Sequence, residues 1–329
     1  MKKLLSLLLI IILTLSMVGC ETNNLQAYKK ASEKTASINS GQTSGEFTMI
    51  MDFNTEGMTA EEIKELNYYK DMKVSFNSSY DEKLKKGIYR NYLSLGGLGF
   101  DYDFYINEDE MFIKLPVIGK YLKLKDIETY GQEYEDTEII ISEETKNNIA
   151  ANWVGLMNEE DVFKGKDIVL TTPDGEVKTT EYSIKLSDEQ INKLYLDTLD
   201  VVSRDEKLKT YYLNMQQNIE ILKDKSFDET IADLKSNINN FEVDNFNYIA
   251  LVDIDGYIVN EVIELSVKIY NDESGELMGI DFSFNLENWD INKEQNFDFP
   301  VLNESNTLKI DNMDTEMPVM FEDIFKNIK

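Results

Sequence analysis

Histidine is absent from this 329-residue chain, cysteine occurs once and proline only 4 times. Without histidine there is no Ser-His-Asp triad, no Cys-His pair and no His-bearing zinc site. A single cysteine excludes an intrachain disulfide framework and a CxxC redox pair. Basic residues are scarce as well. The 33 Lys+Arg face 62 Asp+Glu, a formal net charge of -29. That is the wrong sign for nucleic-acid phosphates or for unaided attachment to an anionic bilayer. Neither GxSxG nor SxxK occurs. The one glycine-rich stretch, Ser94-Leu95-Gly96-Gly97-Leu98-Gly99, lacks a Lys-Ser/Thr pair and reads as a tight turn or bulge, not a phosphate cradle. What is there is an acidic body, 42% hydrophobic and therefore able to fold.

The N-terminus has a short basic start, Met1-Lys2-Lys3, and an apolar run from Leu4 to Leu15 broken only by Ser6 and Thr14. A spanning helix needs about 20 apolar residues, so the run fits a signal-peptide core better than a membrane span. Met17-Val18-Gly19-Cys20 resembles the bacterial lipobox, with Met17 where that pattern prefers Leu. The resemblance implies cleavage before Cys20 and a diacylglyceryl group on its sulfur; no cofactor is expected. Residues 1–19 are then signal peptide and 20–24 a lipidated tether. Cleavage removes Lys2 and Lys3 and no acid, so the mature body is more negative still. It is repelled by anionic lipid and stands away from the surface on its anchor.

Hydrophobic spacing organises the rest. Tyr28, Ala31, Thr35 and Ile38 recur at helical intervals; Phe47, Met49, Met51 and Phe53 alternate as in a half-buried strand. Thr59 opens a capping box. Met72, Val74 and Phe76, then Phe100, Tyr102, Phe104 and Ile106, then Met111, Ile113 and Leu115, and Tyr121–Leu124 predict an antiparallel meander. Ser142, Ser187 and Ser226 start helices. The stripe Leu208, Tyr212, Met215, Ile219, Leu222 and Phe227, Ile231, Leu234, Ile238, Phe241 predicts a helical hairpin packed on the sheet. Pro173-Asp174-Gly175 and Asp255-Gly256 are hairpin turns, Ser274-Gly275 leads into another strand, and Thr307–Ile310 is a short closing strand. Strands joined by hairpins, with helices between the meanders, give an α+β class: a large curved antiparallel sheet covered on one face by amphipathic helices. Residues 25–329 form one such domain, or two helix-then-meander halves of about 25–140 and 141–329. The missing βαβ units argue against a two-lobed solute-binding protein.

Ala27-Tyr28-Lys29-Lys30-Ala31, running into the Met/Phe strand at 46–53, is similar to the opening of Gram-positive bacterial lipoproteins related to the lipoprotein-sorting (LolA/LppX-like) family. So are Phe112-Ile113-Lys114-Leu115-Pro116 with Gly119-Lys120-Tyr121-Leu122, Tyr182–Ser187 and Val252–Val259. The resemblance implies a sheet closed over by helices around an apolar space for acyl chains, on the outer side of the cell membrane. It implies no catalytic residues.

Paired carboxylates (Asp101/Asp103, Glu108-Asp109-Glu110, Glu159-Glu160-Asp161, Asp253/Asp255) follow from the acidic composition. None has the spacing of a calcium loop, so no metal ligand and no catalytic residue is assigned. Trp153, Leu156, Met157, Tyr211, Tyr212 and Met215 sit on helices that would roof the sheet and are the candidate apolar ligand-facing residues. The expectation is a non-enzymatic lipoprotein that binds a lipid or apolar small molecule. The alternatives are an interaction or sensor module with a filled core, or a carboxylate-based envelope glycoside hydrolase. No nucleic acid is expected, and no particular protein partner is indicated. Cys20→Ser should release the protein from the membrane fraction or leave an uncleaved precursor. A variant that fractionates and matures like wild type would refute the anchor.

Overall fold

Alternating side chains and hairpin turns produce long strands here, and serine-capped segments produce short helices. The structure, a computed structural model, describes residues 23–116, 119–123, 141–218, 225–271 and 275–308. Cys20 and the signal segment lie outside the described residues, as do Ile219 and Leu222. In chain order the elements are α1 (Asn24–Thr35), β1 (Ser40–Phe53), α2 (Ala60–Asn67), β2 (Asp71–Asp81), β3 (Lys86–Leu95), β4 (Leu98–Asn107), β5 (Glu110–Lys114) and β6 (Tyr121–Lys123). They continue as α3 (Glu143–Leu156), β7 (Val162–Thr172), β8 (Gly175–Ile184), α4 (Asp188–Val202), α5 (Glu206–Asn218), α6 (Phe227–Ser236), β9 (Phe241–Asp253), β10 (Ile258–Asn271) and β11 (Gly275–Trp289).

The capping chemistry is as the spacing predicts. Ser142 accepts from the Thr145 N–H, and Ser187 and Ser226 close reciprocal boxes with Gln190 and Glu229. Thr59 and Glu62 do the same ahead of α2. Gly96 and Gly97, at φ 54° and 83°, make the two-residue turn between β3 and β4; left-handed backbone of this kind is open mainly to glycine.

All the strands lie in one 11-stranded sheet ordered β6-β5-β4-β3-β2-β1-β11-β10-β9-β8-β7, and each neighbouring pair is antiparallel. The chain begins at the centre with β1, steps outward to β6, crosses to the far edge at β7 and steps back until β11 pairs with β1. Strand β3 had no sequence prediction. Its apolar residues fall on both faces (Ile88 and Tyr92 on one, Leu93 and Leu95 on the other), which erases the alternation that marks a strand.

Three buried clusters hold the layers. Leu25, Tyr28 and Ala31 of α1 pack with Met157 on Ile184, Tyr248, Ala250 and Val252. Ile88, Tyr105 and Phe112 are covered on the other face by Phe297, Phe299 and Leu302, from the chain after β11. Leu199, Phe227 and Ile231 pack with Tyr195, Val202, Leu208 and Tyr212. The predicted stripe on α5 and α6 thus closes largely against α4, and its last predicted member, Phe241, is not helical but opens β9, where its ring meets Tyr195 of α4 at 5.7 Å between centroids. A continuous seam across the sheet is not what the described residues form. The predicted strand from Thr307 is a single bridge, Tyr121 to Thr307.

Asp205 joins two of these helices and was not singled out in the sequence. Its Oδ1 accepts from the Lys207 and Leu208 N–H groups at the start of α5, and its Oδ2 from the Ser142 N–H at the start of α3, 2.8 Å. Burial pushes this carboxyl up, but bonds from Thr145, Ser142 and Leu208 outweigh it and hold it down at about 2. A folded value below the usual carboxylate range means stability fully present above about pH 4 and lost as pH falls towards 2. Asp205→Ala should cost about 2 kcal/mol at neutral pH. It should also flatten the acid limb of a thermal-midpoint-against-pH curve. An unchanged acid limb would show that the linkage does not stabilise the fold.

Candidate functional site

Residues that pair across an antiparallel ladder share a face, so the register sorts the sheet's side chains directly. One row runs Tyr248–Ile263–Phe284–Phe47–Val74–Leu93–Phe100 across seven strands. The next row on the same face runs Phe246–Leu265–Phe282–Met49–Met72–Leu95–Leu98. Every member of both rows is apolar or aromatic. A third row, Ala250–Glu261–Leu286–Gly45–Phe76–Asn91–Tyr102, borders them. The Phe76 ring lies across Gly45, where an added Cβ would come within 2.3 Å of it. Phe47 and Phe282 meet edge to face at 4.9 Å.

Where α1 and α3 lie over it, this face is fully buried. Across β1 to β4 and β11 it is not: Phe47, Val74, Phe76, Leu93, Phe100 and Phe284 are each half-buried, and Leu98 is 50% exposed. A contiguous apolar surface of this kind is a candidate binding face, because isolated soluble chains seldom leave large apolar patches in water.

The candidate ligand-facing residues divide between two places. Trp153 packs on the α1 cluster, its ring 5.2 Å from that of Tyr248 and 6.3 Å from that of Phe246, at the border of the apolar face. Leu156 is half-buried and Met157 is buried in the same cluster. Tyr212 belongs instead to the α4–α6 cluster, where its hydroxyl meets Thr230 at 2.8 Å. Tyr211 is 39% exposed. Met215 lies on α5, with its side chain outside the described residues.

A hydrogen-bond chain runs through this border. Trp153 Nε1 donates to the Tyr28 hydroxyl at 2.9 Å, Tyr28 donates to Tyr248 at 2.9 Å, and Tyr248 donates to Glu261 Oε1. Burial pushes Tyr28 up to about 12. Burial also raises Glu261, with the Tyr248 bond acting the other way. Sequence patterning missed Glu261. The signal was one acid among apolar residues on the face that Ile263 and Leu265 define.

On the opposite face the central strands carry a polar row beside the Ile88–Tyr105–Phe112 cluster. Glu287, Ser44, Asn77, Arg90, Asp103 and Lys114 form one row along an open trough of about 570 Å³. Lys114 and Asp103 lie 3.9 Å apart, and Glu287 Oε1 is buried without a hydrogen bond. Among the described residues, no group of three or more His, Cys, Asp or Glu is placed to hold a metal ion.

Trp153→Phe keeps an aromatic ring against Tyr248 and Phe246 but removes the donor to Tyr28. It should cost about 1 kcal/mol, read as a lower denaturant midpoint at unchanged slope. An unchanged midpoint would show that this bond contributes nothing.

No family model and no curated protein sequence matches this chain. Among solved structures there is weak structural resemblance to lipovitellin, described for its lipid–protein interactions: 10% identity and a TM-score of 0.24, covering 79% of this chain and 26% of that one. The chain therefore spans about a quarter of lipovitellin's length. A β-barrel-like protein of a domain of unknown function from Brucella abortus is similar at 7% identity and a TM-score of 0.18, covering 77% of this chain and 100% of that one.

Proposed function

We propose that this chain is a membrane-anchored extracytoplasmic lipoprotein that binds a hydrophobic ligand on its sheet and catalyses no reaction. The ligand is an apolar small molecule or the acyl part of a lipid. The observation that carries this reading is the pair of apolar rows through Phe47 and Phe282, half-buried across the middle of the sheet. Each CH₂ that such a face takes out of water contributes about 0.8 kcal/mol, so one acyl chain laid along the rows suffices for firm binding. The helices are read as a partial roof, with α1 and α3 at one end of the face and α4 to α6 beside it. Trp153, Leu156 and Met157 line the near end in this reading, and Tyr211, Tyr212 and Met215 belong to the roof. The lipid on Cys20 holds the body at the membrane, and its negative charge keeps it clear of anionic headgroups.

A neutral environment-sensitive dye, N-phenyl-1-naphthylamine, tests this directly. Wild type should take it up saturably with enhanced emission. Val74→Asp, which sets a charge in the apolar row, should weaken uptake by about tenfold or more. Asn77→Asp, on the opposite face, should leave it unchanged. Absence of uptake by folded wild type would overturn the reading in favour of an interaction module.

A further inference from the structure

Building on the ligand-binding reading above, we propose that Glu261 is the head-group anchor of that face and that its occupant is an amphiphile with an ammonium head, not an acidic one. Glu261 stands in the row next to Tyr248–Ile263–Phe284–Phe47, flanked across the ladder by Ala250 and Leu286. Its Oε1 is taken by Tyr248. Its Oε2 has no hydrogen bond among the described residues, and the residue is half-buried on the same face of the sheet as the apolar rows. The three rows contain no lysine or arginine, so no side chain in them balances this carboxylate.

A carboxylate set among apolar groups is costly unless a donor or a cation meets it. The chain Trp153–Tyr28–Tyr248 donates towards it from one side only. The apolar rows where an acyl chain would lie border it on the same face of the sheet. An ammonium group there gains a charge-assisted bond, and an acidic head meets repulsion from Glu261 and from a body of net charge -29.

The test uses the purified protein loaded with N-phenyl-1-naphthylamine and displaced by dodecylammonium, dodecanol or dodecanoate, each below its micellar concentration. Dodecylammonium should displace the dye at roughly tenfold lower concentration than dodecanol, with dodecanoate weakest. Glu261→Gln, which keeps the shape and an acceptor for Tyr248, should remove the ammonium advantage and leave dodecanol unchanged. Glu287→Gln makes the same change of charge on the opposite face and should keep the advantage. Equal displacement by all three compounds in wild type, or an advantage that survives Glu261→Gln, overturns the assignment. If Glu261→Gln does not fold, equal displacement by all three compounds in wild type still overturns the assignment. Dye uptake without head-group preference removes the Glu261 anchor alone, whereas absence of dye uptake removes the ligand-binding reading beneath it.

Discussion

The antiparallel ladder between β1 and β11 is the contact on which the rest of the molecule depends. It pairs Gln42–Phe53 with Met278–Trp289, near the two ends of the described chain. Within each half of the sheet, paired strands are consecutive in the chain, but only this ladder makes the two halves one sheet. It brings Phe47 beside Phe284 and Met49 beside Phe282, joining apolar half-rows into continuous ones. It also sets Ser44 against Glu287 on the other face, where the polar trough crosses the joint. Because the pairing closes nearly the whole chain into a loop, its entropy cost comes before most of its reward, and such contacts form late in folding.

A sheet with one apolar face half-uncovered must avoid pairing with other sheets. Its edges are blunted in two ways. The β6 edge is three residues long and takes a bridge from Thr307. The β7 edge carries Lys164, Lys166 and Asp167 around an irregularity in its pairing with β8. Short, charged and irregular edges are poor templates for strand addition. The excess of carboxylates adds mutual repulsion between copies. The apolar rows can therefore remain available to a ligand without inviting aggregation.

Polar groups inside this architecture do two different kinds of work. Asp205 is fully engaged, with backbone donors on both oxygens, and so stabilises the junction of α3 and α5. Glu261 is half-engaged, with one oxygen bonded to Tyr248 and no hydrogen bond to the other among the described residues, beside rows that contain no lysine or arginine. A saturated carboxylate behaves as a cap; an unsaturated one in an apolar setting is where recognition would be expected to reside.

Much of the fold was legible from local pattern, because strand alternation, turn glycines and serine caps act over a few residues. The helix starts at Ser142, Ser187 and Ser226 and the hairpins at Pro173-Asp174-Gly175 and Asp255-Gly256 needed nothing more. The same holds for the apolar face, since Phe47/Met49 and Met72/Val74 already alternate in the sequence. Strand β3 escaped because both of its faces carry apolar residues, which removes the period of two. Trp153 could be named as a helix residue facing inward, but not its bond to Tyr28, which lies 125 positions away. The sequence by itself determined the sign of the charge, the class of elements and which side of each strand is apolar, since those are properties of single residues and their neighbours. Only the tertiary structure decided strand order, the joining of β1 to β11 and the placing of Glu261 at the margin of the apolar rows, because these rest on pairings between distant segments whose register no local pattern encodes.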